Sequence, residues 1–391
     1  MRIRIGCLDQ ELLWAIDDVI GGLYSIDQKT FETECVVDCR KLFPHGKFGV
    51  LSLFKWKEDY IVIIPQELNR KWIFYNKVTE EIEYRKVIEK KCQEVLVAAD
   101  QDRNQLYFFP LYVYDPILIM DLNTLTCAQT IENWSGRVPN DCRETAWKGI
   151  YDGQYLFFPI KNTRIVVRMD CETQKVNLLE LDISQNVIDV DYAFGELWVL
   201  PVSGDRLYQI DENGRVVHSV VLSVENRTDS LPAFARIVVQ RRYLFLLPYY
   251  RKGIYVCHKQ NGTTQVIPKE SSNSRKKNKE IYLRYWEYCV KGNQICFLPF
   301  RDSYIEIDLN TLAYRKRELF YPNSWSDEEK IWRIIWSHVS ERDSIIREKD
   351  ECNLKHFSEY LQHKTNKDDF SKSDHTGEKI WDAMKNRGRT I

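Results

Sequence analysis

The chain repeats one short phrase six times: an apolar run closed by proline. It reads Tyr60-Ile-Val-Ile-Ile-Pro65, Leu106-Tyr-Phe-Phe-Pro110, Tyr155-Leu-Phe-Phe-Pro159, Leu197-Trp-Val-Leu-Pro201, Tyr243-Leu-Phe-Leu-Leu-Pro248 and Ile295-Cys-Phe-Leu-Pro299. The prolines are 45, 49, 42, 47 and 51 residues apart. A degenerate seventh copy, Leu12-Leu-Trp-Ala-Ile16, ends 49 residues before Pro65 and lacks the proline. A recurring period of this size marks a repeat architecture, in which each unit buries its apolar surface against its neighbours.

A second phrase follows each run by about ten residues. It is a strand ending in a polar turn, as in Asp27-Gln-Lys-Thr30, Asp121-Leu-Asn-Thr124, Asp170-Cys-Glu-Thr173, Asp211-Glu-Asn-Gly214 and Asp308-Leu-Asn-Thr311. Asn76-Lys-Val-Thr79 and His258-Lys-Gln-Asn-Gly262 are variants. Asp or Asn at the first turn position accepts a hydrogen bond from the backbone two residues on, so these residues read as turn formers before anything else.

The proline-ended run is apolar at consecutive positions, which fits a strand covered on both faces. Proline cannot donate to a ladder, so it belongs where the strand leaves its sheet. There is no room between the strands for the crossover helices of a parallel sheet. A β-helix has shorter coils, whereas four strands in about 45 residues match a propeller blade. The units lie near 1–40, 46–90, 92–133, 140–183, 186–225, 231–270 and 280–320. The prediction is all-β: a β-propeller of seven four-stranded blades over 1–320, with six as the alternative count, and a helical, charged appendage over 321–391. Because the first unit holds its own inner strand and the last its own outer strand, no strand exchange between the chain ends is expected.

The paired phrases resemble the bacterial β-propeller repeats whose hairpins end in an Asp-x-x-Thr turn, such as quinoprotein-like blades. The resemblance spans residues 1–320 and implies the propeller fold. The recurrent tryptophan of quinoprotein blades is missing, as are the WD40 and Kelch signatures, so the resemblance carries no functional residues across.

Composition narrows the function classes. The chain has 391 residues, 56 Lys+Arg against 57 Asp+Glu, and a formal net charge of −1. No global field recommends nucleic acid as a partner. Met1 leads straight into a strand pattern, with no secretory signal and no apolar stretch long enough for a membrane span. The 11 cysteines, several within strand patterns such as Cys289 and Cys296, read as reduced small hydrophobes of a cytoplasmic protein. Cys35-x-x-x-Cys39 lacks zinc spacing and Cys-x-x-Cys does not occur, so neither a metal nor a cofactor is expected.

The appendage opens on a capping box, Ser326-Asp-Glu-Glu329, followed by Trp332 and Trp336 at helical spacing. Those two tryptophans mark a helix that docks on the propeller or on a partner.

The residues after each proline form the candidate site. In propellers the second-to-third-strand turns sit on one face, as the resemblance implies. Here they are basic and aromatic: Arg70, Tyr112 with Tyr114, Lys161, Arg164, Arg206, Tyr249, Arg251 and Arg301. Five of the six proline-containing units place an Arg there, with few acids nearby in sequence. Guanidinium groups fork onto carboxylate or phosphate, and aromatic faces suit sugar rings or peptide side chains. The expectation is a non-catalytic binding or scaffold propeller that takes an anionic ligand, a glycan or a protein partner on this rim. The alternative is a propeller enzyme acting on glycans with carboxylates such as Asp189 and Asp191, which lie on an inner strand. No Gly-x-Ser-x-Gly elbow, phosphate loop or His-Glu-x-x-His favours that alternative.

Overall fold

The computed structural model describes residues 3–9, 11–17, 22–27, 29–30, 32–38, 42, 50–65, 67–89, 94–136, 138, 144–145, 149–203, 205–222, 234–248, 253–267, 285–299 and 303–318. The appendage expected over 321–391 lies outside them. The regular elements among the described residues are strands, and they form seven four-stranded antiparallel sheets, a seven-bladed β-propeller. Each sheet is built from four consecutive strands, inner to outer. No strand is exchanged between blades, and the count of seven stands over the alternative of six. The blades span 3–38, 50–86, 94–131, 150–180, 187–221, 234–267 and 285–318.

The chain divides into two compact units. Residues 50–300 with 304–316 hold blades 2 to 6 and most of blade 7; residues 1–49, 301–303 and 317–391 hold blade 1. In blade 1, Leu13, Trp14, Ala15 and Ile16 of the second strand are buried together with Leu23, Tyr24 and Ile26 of the third.

In the larger unit the core lies in layers between blades, which explains the unbroken apolar runs. Successive side chains of a strand point to opposite faces. In blade 4, Leu156 and Phe158 enter the layer shared with Tyr107 and Phe109 of blade 3, while Phe157 enters the layer shared with Val190 and Leu197 of blade 5. In blade 6, Leu244 and Leu246 face blade 5, and Phe245 and Leu247 face blade 7. A polar residue at any of these positions would sit in one layer or the other.

A bulge recurs opposite the proline, and the sequence does not announce it. Pro65, Pro110, Pro201, Pro248 and Pro299 pair with Val50, Glu94, Val187, Phe234 and Tyr285 of the inner strands, and each ladder slips by one residue beside that pair. Proline has no N–H to give, and bulges are where a ladder tolerates it. Blade 1 has the same slip with Asp17 in the proline's place, one residue beyond Ile16. The bulge is therefore a property of the blade, and proline is the residue that suits it.

The turn reading holds in detail. Asp27 Oδ1 accepts from Lys29 N–H and Thr30 N–H at 2.7 and 2.8 Å, Asp170 Oδ1 from Glu172 and Thr173, and Asp308 Oδ1 from Asn310 and Thr311. Asn76 does the same with its amide oxygen, and His258 with its ring Nδ1. These backbone N–H groups hold the carboxyls of Asp27, Asp121, Asp170, Asp211 and Asp308 below the ordinary carboxylate range. The residue after the turn's Thr, namely Glu80, Leu125, Gln174 or Leu312, turns left-handed with φ of 59°, 54°, 57° and 58°. That is a type I turn closed by a residue in the αL region.

Gly214 does further work at its turn. Its φ is +84°, and a Cβ there would stand 2.9 Å from the carbonyl oxygen of Glu180 in blade 4. Asp182 N–H donates to Gly214 O at 3.2 Å. Gly214→Ala is expected to cost about 1–3 kcal/mol, because it combines a strained φ with a backbone collision. Urea melts of the two proteins check this; an unchanged midpoint would mean that the turn does not press on blade 4.

Candidate binding face

Antiparallel order sends all second-to-third-strand turns off the same end of their sheets, the end at which the inner strands begin. Six of the predicted rim residues are described: Arg70, Tyr112, Tyr114, Lys161, Arg164 and Arg206. Tyr249, Arg251 and Arg301 lie outside the described residues, as do Trp332 and Trp336.

The four cations among them do not form an unmatched positive field. Arg70 Nε stands 3.2 Å from Glu67 Oε2, in its own turn. Lys161 Nζ stands 2.6 Å from Glu144 Oε2. Arg164 Nη1 donates to Ile183 O at 3.0 Å, and its Nη2 stands 3.4 Å from Glu180 Oε1. Arg206 Nη1 donates to Ser219 Oγ at 3.3 Å and has no carboxylate partner among the described residues. The expectation of few balancing acids is thus corrected: Glu144 and Glu180, distant in sequence, supply them. Such exposed pairs are worth about 0–1 kcal/mol each. Their larger effect is to make the rim a set of alternating donors and acceptors.

Blades 3 and 4 build the most ordered sector. Tyr112 and Tyr114 are the first and third residues of one tight turn. Their rings stack with centroids 5.3 Å apart and planes within 7°. Tyr114 is 68% exposed, the most exposed aromatic side chain among the described residues. The turn beneath them is closed by Asp115 N–H donating to Tyr112 O at 3.0 Å, and Trp134 Nε1 donates to Asp115 O at 2.8 Å. A strap at Glu144 and Thr145 crosses to blade 4. Tyr112 and Thr145 each make an isolated bridge through it, to Glu144 and Ile160 respectively. Thr145 is fully buried; its N–H bonds Leu111 O and its Oγ1 bonds Pro110 O, both at 2.8 Å.

Asp189 and Asp191 lie on the inner strand of blade 5, Val187–Ala193, as expected, but they point at a neighbour's backbone. Asp189 Oδ2 accepts from Ile237 N–H at 2.9 Å and Asp191 Oδ2 from Val239 N–H at 2.5 Å. Both acceptors are buried, and Arg236 Nε stands 3.9 Å from Asp189 Oδ2. Their alternation along blade 5 matches the alternation of N–H groups on the inner strand of blade 6, Phe234–Val239. These carboxylates join two blades. In the same interface, buried Lys259 reaches Glu196, which also accepts from Trp198 Nε1 at 2.9 Å.

Among the described residues there is no group of three His, Cys, Asp or Glu placed to hold a metal ion, and no helix long and apolar enough to cross a membrane.

No protein-family model and no curated protein matches the chain. Solved structures do match. A computationally designed protein, Ika8, superposes with a TM-score of 0.52 at 9% identity, over 81% of this chain and 86% of its own. Hsv2 of Kluyveromyces lactis, in a form with loop 6CD replaced by a Gly-Ser linker, gives a TM-score of 0.52 at 9% identity, over 82% of this chain and 99% of its own. The unaltered Kluyveromyces lactis Hsv2 gives 0.50 at the same identity and coverage. At 9% identity these likenesses show the fold alone.

Proposed function

We propose that the chain is a non-catalytic binding or scaffold propeller that recognises its partner with the face made by the second-to-third-strand turns. The observation that carries this reading is the stacked Tyr112–Tyr114 pair, held open to solvent on a turn that is pinned from two sides. An exposed aromatic on a rigid support is a common anchor for recognition. Tyr249, Arg251 and Arg301 belong to the same proposed face, and Trp332 and Trp336 to a second docking element. The glycan-enzyme alternative needs carboxylates at a site of reaction; Asp189 and Asp191 are instead engaged with the N–H groups of Ile237 and Val239. Buried thiols such as Cys171, Cys257 and Cys296 suit a reducing compartment, which supports a cytoplasmic setting.

The test compares what three tagged proteins retain from an extract of the native cells: wild type, Tyr112→Ala/Tyr114→Ala, and a control altered at the opposite turns, Val78→Ser/Phe194→Ser. Both pairs include a strongly exposed residue, so melting temperatures should stay close to wild type. The proposal expects the tyrosine variant to lose proteins or sugars that wild type and control both keep. Equal retention by all three contradicts it.

A further inference from the structure

We infer that blades 4 and 5 hold a small monocarboxylate between them, with the guanidinium of Arg168 as its fork and the hydroxyl of Tyr192 as a further donor. This site is separate from the binding face proposed above and does not depend on it.

The ladders place Arg168. It lies on the third strand of blade 4, Ile165–Asp170, opposite Phe157 on one side and Asn177 on the other. Residues directly opposite in a sheet share a face. Phe157 belongs to the layer shared with blade 5, so Arg168 emerges on that side too. Its guanidinium carbon stands 4.2 Å from the centre of the Tyr155 ring. Tyr192, on the inner strand of blade 5, stacks on Phe157 with centroids 4.9 Å apart. Burial raises the Tyr192 phenol above its ordinary value, as do the Asp152 carboxylate and the Tyr155 hydroxyl, while the Arg168 cation opposes the shift. Guanidinium and phenol are thus neighbours across the junction of two blades.

The lack of a partner sets Arg168 apart. Among the described residues Arg85, Arg103 and Arg236 are likewise partly or fully buried, and each has a carboxylate: Glu83, Asp100 and Asp189. Arg168 has neither a carboxylate nor a hydrogen-bond acceptor among them, and the Tyr192 hydroxyl has no hydrogen-bond partner either. The Tyr155 ring attracts the cation through its π-face but takes none of its N–H groups. Holding a guanidinium away from bulk water with its donors unused is costly, and an oxyanion that takes the fork removes that cost.

Charge and depth then select the guest. Asp152 and Asp170 lie near the site, but one oxygen of each is engaged by backbone N–H groups of its own turn. The two acids penalise a doubly charged guest, such as hydrogen phosphate or a dicarboxylate, twice as much as a singly charged one. Arg168 also stands two rungs in from the Tyr155–Asp170–Lys175 row that ends the sheet. A guest has to reach in between the blades, which suits a small molecule.

The experiment titrates the full chain with benzoate and hexanoate by ligand-observed NMR, with succinate, hydrogen phosphate and neutral benzamide as comparisons. At least one of the two monocarboxylates is expected to bind with a Kd below about 1 mM. Its affinity should fall as salt rises from about 50 to about 500 mM. Arg168→Gln should weaken it about tenfold or more, the scale of a lost charge-assisted hydrogen bond. Arg168→Lys keeps the charge but loses the fork and should also weaken it, which carries the test if Arg168→Gln folds poorly. Tyr192→Phe should weaken it about threefold. Tyr112→Ala/Tyr114→Ala should bind as wild type does. Binding of neither monocarboxylate would overturn the inference, as would equal binding of a comparison compound. Indifference to the Arg168 variants or to Tyr192→Phe, or loss of binding in the Tyr112→Ala/Tyr114→Ala protein, would overturn it as well.

Discussion

Replacing Phe158 by Ala is expected to destabilise the protein by about 3–5 kcal/mol, the range for truncating a buried aromatic. Phe158 is fully buried, with its ring 4.6 Å from Phe109 and 5.7 Å from Trp134. Both contacts come from outside its own sheet, so the cavity opens between blades 3 and 4. The surrounding strands are held by their own ladders and cannot close over it. Chemical denaturation followed by tryptophan fluorescence measures the loss. A cost below about 1 kcal/mol, the scale of an average substitution, would contradict the layered core.

Asp189→Ala is expected to cost a similar amount, about 3–5 kcal/mol, because it removes the carboxylate from a buried ion pair with Arg236. Ile237 N–H also loses its acceptor. Asp191 should behave differently. Burial pushes its carboxyl up to about 6, against the opposing pull of Val239 N–H and Arg236. The folded state therefore favours the protonated form relative to the unfolded chain. Its contribution is full below the ordinary carboxylate value of about 4 and is lost as pH rises through about 6. An amide keeps an acceptor for Val239 N–H and carries no charge. Wild type should thus lose stability from about pH 4 to about pH 6 relative to Asp191→Asn, with little further change above about pH 7, and the variant should be the more stable above about pH 6. Urea melts of both proteins across that range measure the difference, and parallel stability profiles would contradict it. The turn aspartates, whose values are lowered, are ionised throughout that window and cancel in the difference.

Much of the fold was legible from the sequence, because what defines it is local. The blade count rests on spacings along the chain, such as the 49 residues from Pro110 to Pro159, and local order preserves them. Asp27 and Asp308 could be read as turn formers because their bonds reach only two or three residues ahead. Glu180 was within reach of the same logic. Counting back from the Asp170–Lys175 pair puts Glu180 opposite Ile165, beside Arg164. Glu144 was not, because the strap that carries it crosses from one blade to the next and has no repeat counterpart to align with. Asp189 and Asp191 were placed on the right strand, but which group faces them is decided by how blade 6 packs on blade 5. The bulge beside five of the six prolines was hidden for a related reason: it is a property of pairing, and blade 1 has it without the proline.

The most direct test of the account is oxidative footprinting of the full chain, alone and with the partner or sugar it retains. Recognition through the second-to-third-strand turns predicts that Tyr112 and Tyr114 become protected on binding, while Phe194 and Val78, at the opposite turns, react as before. Protection at Phe194 and Val78 with Tyr112 and Tyr114 unchanged would contradict it.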